Sequence, residues 1–348
     1  MDDPGVTSFN PTTLREAMAR RLYRRSVAMG QIALPAAPSL IDEYVTMCDK
    51  LFASVGVQYS AEEFAQLKTV LKTQLTQAFQ ASARSNIVIS FHAPFGTALN
   101  YRVNVESVSI AGAYDGWVTT REGSLFGVEP DARLSTLVAE AADPKTFRVL
   151  DVGAGSGRNA LALARRGHPV DAVEIAPKLA HIIRSEAQRE SLDVRVIEHD
   201  VFVSTDDVRD DYQLIVASEL VPDFRTVEQL RSLFDLAARC LAPSGLLLFN
   251  AFLPRQGYLP DDAARELGQQ CNTMIFTWEE MMAATAGLSL ELVADDSTYE
   301  YEKRHLPEGA WPPTAWFANW ASGLDLFDVE RDDSPIELRW LVFKASHG

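Results

Sequence analysis

The sequence is short of sulfur, of positive charge and of long apolar runs, and each shortage narrows the field. Its three cysteines, Cys48, Cys240 and Cys271, are far apart, odd in number and never in a CxxC pair. That spacing excludes a disulfide-stapled scaffold and a thiolate zinc site. Lysine and arginine together number 32 against 48 acidic residues, a formal net charge of −16. Nucleic acid selects basic surfaces, so DNA and RNA are disfavoured as partners; an ordinary acidic protein is the plainer meaning of the charge. No uninterrupted apolar stretch approaches the roughly 20 residues of a membrane span, and the polar start Met1-Asp2-Asp3 shows no secretory signal. The six histidines show no HxxxH or His/Cys ligand spacing, so no metal is expected. Internal repeats and low-complexity tracts are also missing. What remains is a globular chain, cytoplasmic by default. Its 348 residues, 47% hydrophobic, have room for two domains or for one with a long extension.

The chain is organised around Val149-Leu150-Asp151-Val152-Gly153-Ala154-Gly155-Ser156-Gly157-Arg158-Asn159. An apolar run fit for a buried strand leads into glycines on alternate positions, then into a helical stretch, residues 160–166, that Gly167 ends. Strand, glycine turn and helix in this order present backbone N–H groups and a helix N-terminus to a cofactor. Glycine admits close approach of the ligand and unusual φ/ψ, although a plain tight turn would use the same residues. A dinucleotide loop reads GxGxxG, whereas this one reads DxGxGxG. A carboxylate at Asp151 repels a pyrophosphate and attracts a cation such as a ligand's amino group. Two further acids end strand-like runs: Glu174 after Val170-Asp171-Ala172-Val173, and Asp200 after residues 194–199. An ionised carboxylate only accepts hydrogen bonds, which suits Glu174 to a ribose diol and Asp200 to an exocyclic amine such as adenine's. A solvated strand-end acid is the plainer account of Glu174 alone, and Glu198 or His199 would replace Asp200 if the register slipped. Amino group, ribose and adenine together describe S-adenosylmethionine better than NAD.

Residues from about 115 to 348 resemble the class I S-adenosylmethionine-dependent methyltransferases. The resemblance is carried by VLDVGAGSGRN (149–159), DAVEIAP (171–177), EHDVF (198–202), YQLIVASELV (212–221) and LAPSGLLLFNAF (241–252), in that order. It implies an α/β fold over residues 113–348: a Rossmann-like, seven-stranded, mostly parallel sheet with helices on both faces and an antiparallel last strand. Strands near 288–294 and 336–344 would complete that sheet. The cofactor-binding residues it implies are Asp151, Gly153, Ala154, Gly155, Gly157, Glu174, Ile175, Asp200, Val201, Ser218 and Leu220. In this family the segment before the first strand often closes over the cofactor, which would give Tyr114, Trp117 and Arg121 a part; plain packing is the alternative.

Ligands in open α/β sheets lie beyond the carboxyl ends of the strands. The fourth strand, residues 214–217, therefore aims Ser218-Glu219-Leu220-Val221-Pro222 at the methyl group. This departs from the Asn/Asp-Pro-Pro-aromatic signature of methyltransferases acting on nucleic-acid amino groups, so a base substrate is not expected. Glu219 is the candidate catalytic residue, although a loop carboxylate has many other uses. Tyr258 on one side, and Trp316 and Trp320 from the segment 311–320, are candidates to line the substrate pocket. With Trp311 the two form an apolar or cation-attracting wall, or else a helix face packed on the sheet, which is the preferred account. His305 reads as surface.

Residues 1–112 read as a mainly helical region with a small β element. A helix runs from Asn10-Pro11 to about Met29, with Arg20, Arg21, Arg24 and Arg25 near its end. A second carries Leu40, Tyr44, Met47, Leu51 and Val55 on one face. The capping box Ser60-Ala61-Glu62-Glu63 starts a third, with Phe64, Leu67, Leu71, Leu75 and Ala78 together. Residues 87–91 and 101–105 alternate as strands around Pro94-Phe95-Gly96, and residues 108–110 continue or add one. This region is expected to shape the acceptor site, recruit a partner or form a homodimer contact. Function then reads as methyl transfer to a small molecule or to a peptide or protein. An NAD-dependent oxidoreductase and a non-catalytic scaffold of the same fold, binding a protein partner, are the competitors.

Overall fold

The computed structural model describes residues 10–23, 28–55, 57–93, 99–120, 123, 125–255 and 257–346. They fall into two compact units, Met1–Val108 and Ser109–Gly348. Arg24, Arg25, Pro94-Phe95-Gly96, Arg121 and Gln256 lie outside the described residues.

The first unit contains α1 (Pro11–Tyr23), β1 (Ala28–Pro35), α2 (Ile41–Ser54), α3 (Ala61–Ala81), β2 (Asn86–Ala93) and β3 (Asn100–Glu106). The capping box forms as its residues dictate: Glu63 N donates to Ser60 Oγ while Ser60 N donates to Glu63 Oε2. Leu67, Leu71, Leu75 and Ala78 are buried along α3 at helical spacing. On α2 the buried face is Tyr44, Cys48 and Phe52, rotated from the expected Met47 and Leu51, because the ring of Phe52 anchors an aromatic cluster with Tyr59, Phe91 and Tyr101. Met29 is not helical but belongs to β1, which pairs antiparallel with β2 in a β1-β2-β3 sheet. Gly30 permits that pairing, since a Cβ there would stand 2.9 Å from the Phe91 ring. Residues 108–110 add no strand; Ile110 opens a helix of the second unit.

The second unit runs α4 (Ile110–Thr120), α5 (Ala132–Val138), β4 (Val149–Val152), α6 (Arg158–Arg165), β5 (Val170–Val173), α7 (Pro177–Glu190), β6 (Val194–Ile197) and β7 (Tyr212–Ala217). It continues with α8 (Val227–Cys240), β8 (Leu241–Pro254), α9 (Asp262–Gln270), α10 (Trp278–Thr285), β9 (Leu290–Ser297), α11 (Thr298–His305), α12 (Phe317–Ala321) and β10 (Ile336–Ala345). The seven strands order as β6-β5-β4-β7-β8-β10-β9. β4 to β8 are parallel, and β10 inserts antiparallel to both β8 and β9. An all-parallel dinucleotide sheet has no such inserted strand. β4 and β5 are buried along their whole length, as parallel strands covered on both faces must be. On one face Phe234, Phe249 and Phe343 interlock, with Phe234 and Phe343 centroids 4.9 Å apart. Each ring so buried contributes about 1.5–3 kcal/mol.

In the connection between the first unit and the sheet, residues 113–120 belong to α4, a helix that the sequence pattern did not single out. α9 and α11 are likewise elements that the sequence pattern did not single out. β8 runs through Pro243-Ser244-Gly245 by placing Ser244 at a φ of +61°.

Candidate active site

Three parallel strands of one register set the geometry. Val152 lies opposite Val173, so the glycine loop starts level with Glu174. Gly153 and Ala154 both donate to the Val173 carbonyl, and Glu174 N donates to the Ile197 carbonyl of β6. The loop is thereby stitched to the end of β5, and β5 to the end of β6. Gly155 has a φ of +57° and donates its N–H to Glu174 Oε2 at 2.8 Å, while Ala176 N donates to Oε1 at 2.7 Å. Each carboxylate oxygen keeps a lone pair for a second donor. Burial raises the Glu174 pKa, against the opposing backbone N–H groups.

A cavity of about 480 Å³ lies over these strand ends. Of the expected cofactor residues, Asp151, Gly153, Ala154, Gly155, Glu174, Ile175, Asp200, Val201, Ser218 and Leu220 line it. Gly157 does not. It is the N-cap of α6 at a φ of +87°, and a Cβ there would crowd Leu161 and Ile183, so its place is set by helix packing. Tyr114, Trp117, Trp316 and Trp320 also line the cavity. Tyr258 does not; it packs edge-on against Phe327 at 5.7 Å in a cluster around Phe252, Phe317 and Trp320. Trp320 belongs to both places: it packs in the cluster around Phe252 and also lines the cavity. His305 stacks on Tyr301, away from the lining.

The polar wall holds an excess of acid. Asp151 is 2% exposed, and its Oδ2 has no hydrogen-bond partner. Burial pushes its carboxyl up to about 7, Asp131 adds to the effect, and Arg158 with the Ala160 N–H opposes it. Ser218 Oγ also lacks a partner. Asp200 accepts from Phe202 N through Oδ1 at 2.8 Å, a local turn that leaves its other oxygen for a ligand. Glu219 sits at a φ of +58°, a left-handed conformation that costs a non-glycine residue about 1–2 kcal/mol. Its N–H donates to the Oδ1 of Asn250, fully buried in β8, at 2.7 Å, which holds the strained residue in place.

Arg158 is the buried cation of this wall, and sequence reasoning assigned it no role. Its guanidinium donates to Asp131 Oδ1 at 2.6 Å and to Glu219 Oε1 at 3.0 Å. Asn159 Nδ2 donates to Asp131 Oδ2 and its Oδ1 accepts from Asp131 N, closing the group. Behind them Glu302 accepts from Ala132 N, Arg133 N and Trp340 Nε1. Burial raises the Glu219 pKa, Arg158 opposing and Asp131 and Asp223 adding; burial and Asp131 raise that of Glu302. One signal could have found Arg158. It opens α6, where the helix dipole is unfavourable to a cation, so it requires carboxylates close by.

These features define an α/β protein with an acid-lined crevice at the strand ends of a mixed sheet. Residues 149–245 match the family model described as a methyltransferase domain. The fold is similar to that of a protein assigned as a sarcosine dimethylglycine methyltransferase from Galdieria sulphuraria: 17% identity, covering 67% of this chain and 98% of that one, with a TM-score of 0.50. A geranyl diphosphate C-methyltransferase from Streptomyces coelicolor A3(2), solved with S-adenosyl-L-homocysteine, is 16% identical over 68% of this chain and 97% of its own, with a TM-score of 0.48. No curated protein matches the sequence significantly. Residues 149–245 thus form a methyltransferase domain, and its methyl donor is S-adenosylmethionine.

The residues present fit that cofactor, the orphaned Asp151 oxygen above all. Its titration makes a prediction. With a pKa near 7 in the fold against an ordinary 3.8, the carboxyl keeps a proton that the unfolded chain releases. Its contribution to stability therefore falls as pH rises from about 4 to 7 and is flat above. A cationic ligand needs the ionised form, so cofactor affinity moves the other way: calorimetry should show S-adenosylmethionine binding about tenfold tighter at pH 8 than at pH 6. Asp151→Asn should bind weakly and flatten the profile. A wild-type affinity independent of pH would remove Asp151 from the site.

Proposed function

We propose that the enzyme methylates a small molecule held in this cavity, with Glu219 receiving the acceptor's proton. The observation that carries this is the cavity itself, which several elements line on the acceptor side. α4, the residues after β7, residues 270–272 and the α12 tryptophans all contribute to it. Tyr114 Oη donates to Asp223 Oδ2, Asn272 Nδ2 donates to Asp223 Oδ1, and Trp320 Nε1 donates to the Asn272 carbonyl at 3.0 Å. This chain of bonds joins α4, the 221–223 turn, residue 272 and α12 around the acceptor side. Such walls suit a small ligand, which pockets bury almost completely.

S-adenosylmethionine, when bound, supplies a methyl group on a positively charged sulfur. Asp151 holds the ligand's amino group, Glu174 the ribose hydroxyls and Asp200 the adenine amine, with Ile175, Val201 and Leu220 as apolar flanks. The protein's further work is alignment of the acceptor and removal of its proton. Glu219 suits the second task because burial lifts its pKa toward the working range. The three cysteines are free thiols, which suits a reducing cytoplasm. Among the described residues no helix is long and apolar enough to cross a membrane. Residues 1–108 we assign to self-association or partner binding, for which the exposed α1 stripe Leu14, Met18 and Leu22 is the support.

The test is incubation with isotopically labelled S-adenosylmethionine and a size-fractionated cell extract. Label is expected in the small-molecule fraction. Label confined to macromolecules would refute this assignment, and none anywhere would refute methyl transfer.

A further inference from the structure

We infer that Asn250 is a positioning residue: it holds Glu219 in the backbone conformation that presents its carboxylate to the acceptor. The inference rests on the proposed role of Glu219 and adds how that side chain is aimed. Asn250 is the one polar residue among residues 246–253 of β8, and it is fully buried. β7 and β8 are parallel with Ala217 opposite Phe249, so Asn250 stands one position beyond the end of that pairing, beside the turn that carries Glu219. Across the sheet it lies opposite Trp340 of β10, which packs in one core cluster with Leu248. An amide in such surroundings is costly unless it is hydrogen-bonded.

Only half of this amide is. Oδ1 accepts from Glu219 N at 2.7 Å, while Nδ2 has no partner among the described residues. A leucine would fill the space and leave no polar atom over, so packing does not call for the amide. Its one side-chain bond goes instead to a residue with a φ of +58°, which a non-glycine residue leaves when nothing holds it. A half-paired amide and a left-handed glutamate are both unfavourable, and they meet at one hydrogen bond beside the cavity. Costs placed together in this way mark a functional constraint. The carboxylate is fixed from its other end as well. Oε1 accepts from Arg158 at 3.0 Å, and Arg158 is tied to Asp131. Oε2 has no partner among the described residues, and Glu219 lines the cavity. With the backbone set by Asn250 and one oxygen by Arg158, Oε2 is the atom left to take the acceptor's proton. Asn250 does not line the cavity, so it acts through Glu219 and not on a ligand.

The experiment uses the full chain, methyl-deuterated S-adenosylmethionine and the small-molecule filtrate of a cell extract, in which mass spectrometry finds the species that gains the heavy methyl. On that acceptor, Asn250→Leu and Asn250→Ala should each lower kcat roughly 10- to 100-fold. KM, and cofactor affinity by calorimetry, should stay within about twofold. In a Glu219→Gln background, itself slow, either change should cost no more than about twofold further, because its effect passes through that carboxylate. A wild-type kcat in both Asn250 variants overturns the inference and leaves Glu219 in its role. So does a full loss that persists without the Glu219 carboxylate, or a cofactor affinity that falls as far as kcat, since each describes a merely structural residue. A wild-type kcat in Glu219→Gln removes Glu219 as the proton acceptor and the inference with it. No heavy-methyl product from the unaltered chain sinks methyl transfer itself.

Discussion

Gly155→Val is expected to weaken S-adenosylmethionine binding by roughly 100-fold or more, which corresponds to about 2.7 kcal/mol. Gly155 lies at a φ of +57°, where a β-branched residue is strained by about 1–3 kcal/mol. A Cβ would also stand 3.2 Å from the Phe126 ring, and Phe126 lines the cofactor cavity. Relief of either strain moves the Gly155 N–H away from Glu174 Oε2 and releases the carboxylate assigned to the ribose. The loop is at the strand ends rather than in the core, so far-UV circular dichroism should be unchanged. Calorimetry with the cofactor and its demethylated product is the measurement. Gly155→Ala should fall between, since it meets the same ring without branching. Normal binding by the valine variant would mean that the loop does not hold the ligand.

The second large effect is on stability. Arg158→Met leaves Asp131 and Glu219 buried without their cation, with Glu302 close to Asp131. Breaking a buried pair by removing one partner costs about 3–5 kcal/mol. At roughly 2–4 °C per kcal/mol for a unit of this size, the melting temperature should drop by roughly 6–20 °C. Glu219, left behind, titrates at higher pH in the fold than in the unfolded chain, so the loss should be greatest at pH 8 and shrink toward pH 5 as it takes up a proton. Asp131→Asn added to Arg158→Met should recover part of the loss. Thermal melts of the three proteins at both pH values decide it; a wild-type melting temperature for Arg158→Met would show the cluster to be energetically idle.

How much of this was legible beforehand depends on the range of the interaction. The capping box at Ser60 closes within four residues and forms as the sequence predicts. The glycine loop, Glu174 and Asp200 were legible because parallel strands in register turn sequence spacing into spatial neighbourhood. Gly157 was assigned to ligand contact because the motif names three glycines alike, whereas their φ values are similar and their surroundings are not. Tyr258 was assigned to the pocket by its place after β8, and Phe327, 69 positions later, turned it elsewhere. β1 was hidden because its fit depends on a ring of β2 lying over Gly30.

The sequence by itself determined the sheet and the cofactor, since these follow from local pattern and repeated spacing. Only the tertiary structure decided what stands around the acceptor. Arg158 meets Asp131 and Glu219, Tyr114 and Asn272 meet Asp223, and Asp325 lines the same cavity, across separations that carry no period. Their shared property is charge in a low-dielectric space, and a chain shows where charges occur but not which of them are buried together.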